Sequence, residues 1–376
     1  MNVQCVWEHN GDDTLLYAID LPGAYTRGAS LVIAMEKMAA EVKSYLQWNG
    51  KAVPEKIAEI CRREGCQLLL LSGDVFDALP NAETLQQVKA VLADLQIPVF
   101  IAPGNHDFCT PASLWMSGEW PANVHIFTKP VVESVSLPEL NCRIYGAGFV
   151  SMDCDPLLEN FRLCGDEKYH IALLHGDPVQ RNSPYNPVSQ TQVASSGLHY
   201  LALGHVHKSG AFRAGNTLCA WPGCPMGRGF DELEEKGVLL VTVEEAAEEQ
   251  FMPLDTPRFY DLETTVHTDA CTALAAVLPA VGSEDFYRIT LTGECESVDL
   301  DALLAKFSQF PNLELRDKTQ PPADLWSAVG SDSLEGVYFK MLQDALEGQD
   351  EETTRIVTMA AKISRKLLDG GEVVLL

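Results

Sequence analysis

Four short polar clusters each follow directly on a short apolar run. They are Gly73-Asp74-Val75-Phe76-Asp77, Gly104-Asn105-His106-Asp107, His175-Gly176 and Gly204-His205-Val206-His207. Carboxylate oxygen, amide oxygen and imidazole nitrogen are the ligand types wanted by divalent ions that assist phosphoester hydrolysis, with positions left open for water and substrate. Asp74 can bridge two ions with its two oxygens. Asn105 offers a neutral carbonyl oxygen, and His175, His205 and His207 offer imidazoles. His205 and His207 stand two apart and so share a face of an extended chain. Gly73, Gly104 and Gly204 allow tight turns and close backbone approach to an anion. A single histidine is more often a hydrogen-bonded core residue. Here four of the nine histidines fall in an ordered set, each at the end of an apolar run, and the ligand reading wins. Asp77 and Asp107 read instead as carboxylates bracing their loops.

The runs that deliver these clusters are Leu68 to Leu71, Val99 to Ala102, Ile171 to Leu174 and Leu201 to Leu203, short enough for buried strands. Between the first two, residues 82 to 95 carry Leu85, Val88, Val91 and Leu92 at helical spacing. Strand, helix, strand in that order predicts a βαβ unit and a sheet covered on both faces, hence an α/β fold. Ligands in open α/β sheets gather beyond the carboxyl ends of the strands, so four segments would supply one rim. After about residue 250 the texture changes. Residues 258 to 316 predict strand, helix, strand, helix, strand, with Phe286 to Leu291 the clearest strand. Pro321-Pro322 breaks the chain. Leu334, Val337, Tyr338, Met341, Leu342 and Ala345, then Ile356, Met359, Ala360, Ile363 and Leu367, predict two helices, either packed as a hairpin or presented to a partner.

The 376 residues are enough for one large domain and one or two smaller ones, and 46% hydrophobic with 21% charged content is ordinary for a globular protein. No apolar run approaches the roughly 20 residues that span a bilayer, and the start of the chain lacks a basic segment followed by an apolar core, so a cytoplasmic protein without membrane contact is expected. The eleven cysteines are irregularly spaced without C-x-x-C, which predicts reduced, mostly buried thiols. A net charge of −26 argues against a broad electrostatic grip on nucleic acid, although bound cations and a local basic groove can override the global sign.

The ordered set GD-x-x-D, GNHD, HG, GH-x-H resembles the calcineurin-like metallophosphoesterases. That resemblance implies a β-sandwich flanked by helices and a centre of two divalent ions, manganese above all. Asp74 would bridge, Asn105, His175 and His205 would hold one ion, and His207 would serve the other. His106 would be the catalytic residue near the leaving oxygen, and the reaction in-line attack on phosphorus by activated water. Residues 221 to 238, Trp221-Pro222-Gly223-Cys224-Pro225-Met226-Gly227-Arg228-Gly229-Phe230-Asp231 and then Glu235-Lys236-Gly237-Val238, resemble the PGS-x-x-R-x-x-x-E-x-x-x-KG segment of SbcD/YhaO-type DNA repair exonucleases. The resemblance implies a nuclease domain over 51–250, a DNA-capping-like α+β domain over 255–320 and a helical tail over 330–376 docking on an SMC-like (SbcC-type) ATPase. It also implies DNA as substrate and a homodimer. Arg228 would either contact a DNA phosphate or form a structural salt bridge.

The family's opening strand ends in D-x-H, which supplies the second ion; residues 1 to 60 offer only Asp20-Leu21-Pro22, and proline has no ligand atom. Residues 1–50 instead resemble a HicB-like antitoxin fold, through Tyr17-Ala18-Ile19-Asp20-Leu21-Pro22-Gly23, Thr26-Arg27-Gly28-Ala29-Ser30-Leu31 and an amphipathic helix to Trp48. The second ion would then rely on Asp20 alone, recruit Glu8 or His9, or be absent, leaving a weakened nuclease or a binding adaptor. A small-phosphodiester or nucleotide phosphoesterase is the alternative substrate class.

Overall fold

The computed structural model describes residues 5–10, 13–18, 25–28, 30–35, 38, 53–77, 80–267, 269–322, 324–368 and 370. Two compact units divide the chain, Met1–Phe259 and Tyr260–Leu376.

In the first unit, β1 (Cys5–Asn10), β2 (Asp13–Ala18) and β3 (Tyr25–Gly28) form an antiparallel meander. The Asp20-Leu21-Pro22-Gly23 turn, and most of the helix expected up to Trp48, lie outside the described residues. From Val53 the site-bearing fold begins. Helix α1 (Val53–Arg63), β4 (Leu69–Leu71), α2 (Ala82–Leu95), β5 (Val99–Ile101) and β6 (Val124–Ile126) build a three-stranded parallel sheet in the order β4-β5-β6. The βαβ unit predicted from the apolar spacing is present, and α2 occupies the predicted residues. Asn81 caps it, its side chain accepting from Thr84 N at 2.8 Å.

A second sheet runs β11-β12-β10-β9-β8-β7, from β7 (Glu133–Leu137), β8 (Cys142–Gly146), β9 (Tyr169–His175), β10 (Tyr200–Gly204), β11 (Gly210–Ala214) and β12 (Thr217–Trp221). Its four inner strands are parallel and its two edge strands antiparallel. The continuous apolar runs follow from burial on both faces. Along β9, Ile171 and Leu173 enter one core with Phe100 and Phe127, while Ala172 and Leu174 enter another with Leu158 and Val193. The hairpin β13 (Gly237–Val243) and β14 (Ala247–Pro253) lays Leu239 and Val241 against the first core. Sheet on sheet with α1 and α2 on the outer face of β4-β5-β6 gives the mixed α/β sandwich that was expected. None of the eleven cysteines forms a disulfide. Only Cys61, Cys109, Cys142 and Cys219 are buried and Cys164 is exposed, fewer buried thiols than composition suggested.

The second unit carries β15 (Phe259–Val266), β16 (Phe286–Gly293) and β17 (Asn312–Asp317) in one sheet, with β16 and β17 parallel. Helices over Ala270–Val277 and Leu300–Lys306 close a core on Leu274, Ile289 and Phe307. Two terminal helices, Leu334–Asp344 and Glu351–Leu368, follow. They are joined by a 2.7 Å contact of Tyr338 Oη with Ser364 Oγ. Their packing uses Phe339 and Ala361 with Leu342 of the predicted stripe, while Leu334, Val337, Met341, Ile356 and Met359 remain exposed. Among the described residues no helix is long and apolar enough to cross a membrane.

Candidate metal centre

Strand register brings the motifs together. His175 ends β9 opposite Gly204, the last residue of β10, and Leu71 of β4 pairs with Ile101 of β5, so Asp74 and Asn105 emerge from neighbouring strand ends. Two of these turns take backbone conformations that disfavour a side chain. Asp74 has φ +49° and His205 φ +95°, a cost of about 1–3 kcal/mol each that persists where surroundings impose it. Asp107 imposes it on Asp74. Buried at 9% exposure, its carboxylate accepts from the backbone N–H of Asp74 (3.2 Å), Val75 (2.8 Å), Phe76 (3.3 Å) and Gly104 (2.7 Å). Burial pushes its carboxyl up to about 6 despite those donors. Asp107 is therefore the loop brace expected from sequence. A side chain at Gly104 would meet Asp74 Oδ1 at 2.3 Å, and one at Gly204 the Ser72 carbonyl at 1.9 Å, so these turns close only on glycine.

At the centre His175 is fully buried. Its Nδ1 stands 2.8 Å from the Ser72 carbonyl oxygen, which fixes the ring proton on Nδ1 and leaves a lone pair on Nε2. That lone pair faces Asn105 Oδ1 at 2.9 Å and Asp74 Oδ2 at 3.3 Å, and His205 Nδ1 lies 3.2 Å from the same Asn105 oxygen. Together Asp74 Oδ2, Asn105 Oδ1, His175 Nε2 and His205 Nδ1 set four potential ligand atoms toward one point. Such convergence is unfavourable unless a cation lies among them, so the residues fit a divalent ion. Burial opposes ionisation of Asp74, while the His106 backbone N–H, donating to its Oδ1 at 2.9 Å, favours the carboxylate. Burial, helped by His175, lowers His205, favouring the neutral ligand form.

His106 is exposed beside this cluster, its Nδ1 3.1 Å from Asp77 Oδ1. Arg228 Nη1 reaches the same Asp77 oxygen at 2.7 Å. Asp77 is thus not a loop brace like Asp107: it holds a histidine and an arginine in the site. The cause is burial, because Asp107 has four amides within reach while Asp77 projects into solvent beside Arg228 and His106. His207 does not join the acceptor cluster around Asp74; its Nδ1 lies 2.6 Å from Glu232 Oε1, with Cys224 Sγ 3.4 Å from Glu232 Oε2. Burial opposes ionisation of Glu232, yet His207 and the Arg228 N–H outweigh it and hold its carboxyl at about 2. The structure therefore collects Asp74, Asn105, His175 and His205, sets His106 alongside and places Arg228 on Asp77.

Sequence reasoning passed over Asp77 as a site residue, and also Glu232, Cys224 and Asp177. Asp177 is buried, and its Oδ2 stands 3.9 Å from His205 Nε2. Asp177 follows His175-Gly176 directly and Glu232 sits in the quoted exonuclease-like segment, so both positions were within view. Nothing in their spacing says which neighbour they meet.

Comparison with known proteins agrees with this geometry. Residues 49–246 match the family model described as "Calcineurin-like phosphoesterase superfamily domain". The protein called "Uncharacterized metallophosphoesterase YhaO" from Bacillus subtilis (strain 168) is 34% identical over 191 residues, which are 48% of this chain and 46% of that protein. The match thus spans about half the length of that relative. With over half of its residues matched and the metal-ligand motifs converging on one buried point, the chain belongs to the calcineurin-like phosphoesterase superfamily.

Proposed function

We propose that the protein is a manganese-dependent DNA exonuclease or endonuclease subunit of the SbcD type, acting in repair with an SMC-like ATPase. Phosphoester hydrolysis follows from the family; DNA as substrate is the further step. The observation that carries it is Arg228, in the segment resembling that exonuclease branch. Arg228 shares one Asp77 oxygen with His106 and so offers a guanidinium beside the proton donor. A divalent ion held by Asp74, Asn105, His175 and His205 would supply Lewis acidity to the phosphoryl group and the attacking water. His106, steadied by Asp77, gives a proton to the leaving oxygen. Arg228 binds a non-bridging phosphate oxygen and aligns the backbone for in-line attack. The exposed stripe of Leu334, Val337, Met341, Ile356 and Met359 supports partner docking by the tail. We read residues 1–50 as a HicB-like leader outside the catalytic fold, and the cytoplasm as the site of action.

A 3′-labelled duplex incubated with Mn²⁺ tests this. Shortening of the duplex is expected. Cleavage of a generic phosphodiester with an intact duplex would replace DNA by a small substrate, the alternative that the −26 net charge suits less well.

A further inference from the structure

His175 and His207 meet the same requirement by different means. Each ring must keep one nitrogen free of a proton to act as a ligand, and its other nitrogen decides which. For His175 the Ser72 carbonyl decides. For His207 the Nδ1 partner is Glu232, 7% exposed, whose Oε1 lies 2.6 Å away. Two lone pairs cannot face each other at that distance, so a proton lies between them. Arg228 Nη2 stands 3.2 Å from the same nitrogen, but a guanidinium only donates and a protonated Nδ1 cannot accept. That contact is a close approach, not a second hydrogen bond.

We propose that Glu232 is a positioning residue for the second half of the centre, fixing His207 as the Nδ1–H tautomer and leaving Nε2 to take a divalent ion. Among the described residues no hydrogen bond or ion pair engages His207 Nε2. Carboxylate–histidine pairs of this kind orient metal-ligating imidazoles and strengthen them as donors. Glu232 also fixes where the ring sits. Its Oε2 accepts from Arg228 N at 2.9 Å, and Lys236 Nζ donates to the His207 carbonyl at 3.3 Å. One buried carboxylate therefore ties the Gly204–His207 turn to the loop carrying Arg228. The ion-binding role rests on the phosphoesterase reading; the tautomer does not.

Glutamine is nearly the same shape but cannot serve both partners. Its amide oxygen must face the Arg228 N–H, so its NH₂ donates to His207 Nδ1 and drives the ring proton to Nε2. Nitrogen-15 correlation spectra of histidine-labelled, metal-free protein, about two pH units above the ordinary histidine value, report the tautomer directly. The wild type is expected to show Nδ1–H at His207, and E232Q to show Nε2–H. Manganese titration of E232Q is expected to weaken one equivalent by about 10–100-fold and leave the other unchanged. An Nε2–H tautomer in the wild type would overturn the proposal even if the variant fails to fold. So would an E232Q protein with unaltered tautomer and unaltered affinity. Failure to cleave any phosphodiester would count against the proposed function while leaving the tautomer result standing.

Discussion

The two histidine-bearing halves of the centre differ in what completes them. Around His175 the side chains of Asp74, Asn105 and His205 bring potential ligand atoms within 2.9 to 3.3 Å of one another, and the His175 Nδ1 proton is already given to the Ser72 carbonyl. Around His207 the two carboxylates already have donors: Glu232 takes the imidazole Nδ1–H and the Arg228 N–H, and Asp77 takes the Arg228 guanidinium. The first half crowds carboxylate, amide and imidazole atoms that a cation would satisfy, whereas the second already holds a guanidinium and a carboxylate–imidazole hydrogen bond. Ion binding should therefore be tight and indispensable at the first, and weaker and dependent on one orienting carboxylate at the second.

The largest test of that contrast is His175→Ala. Removing the buried ligand should abolish binding of the tighter manganese equivalent and lower turnover by about 10⁴-fold, the scale of several kcal/mol of charge stabilisation. Retained metal content in that variant would mean the acceptor cluster is not the ion site. A smaller effect is expected from His106→Gln, which should cost about 10²–10³-fold in turnover while bound metal stays constant. Loss of metal along with turnover would instead place His106 among the ligands. Arg228→Ala should raise KM for a phosphodiester about 10-fold, with the first ion untouched, as expected for one charged hydrogen bond. A kcat effect with constant KM would contradict a binding role. The smallest effect lies away from both halves. Arg143, aided by Ser136, holds Glu167 at about 2, well below the ordinary glutamate value. A lowered folded-state value contributes stability above the unfolded value of about 4.3, lost as pH falls toward about 2. Chemical denaturation at stepped acidic pH should show this slope, and Glu167→Gln should flatten it with no change in metal uptake. An identical slope in the variant would remove Glu167 from the account.

How much of this could be read in the sequence depended on distance along the chain. The convergence of Asp74, Asn105, His175 and His205 was legible because each motif is local and its apolar run marks the strand that carries it. The alternating strand-helix order after residue 258 was legible for the same reason. Pairings across loops were not. Asp77 and Asp107 occupy equivalent last places in their motifs, yet one braces amides and the other holds His106 and Arg228, and only burial separates them. The terminal helices show the same limit. Their apolar spacing predicted elements correctly, but Phe339, outside the predicted stripe, fills the small core while Leu334 and Met341 stay exposed. Periodicity reports an amphipathic face, not what covers it.

Anomalous diffraction from manganese-soaked crystals examines the central claim most directly. The account predicts a strong peak within about 2.0–2.5 Å of His175 Nε2, Asn105 Oδ1, His205 Nδ1 and an Asp74 oxygen. Any second peak should be weaker and lie near His207 Nε2. No peak at the four-residue cluster, or a sole peak elsewhere in the molecule, would contradict it.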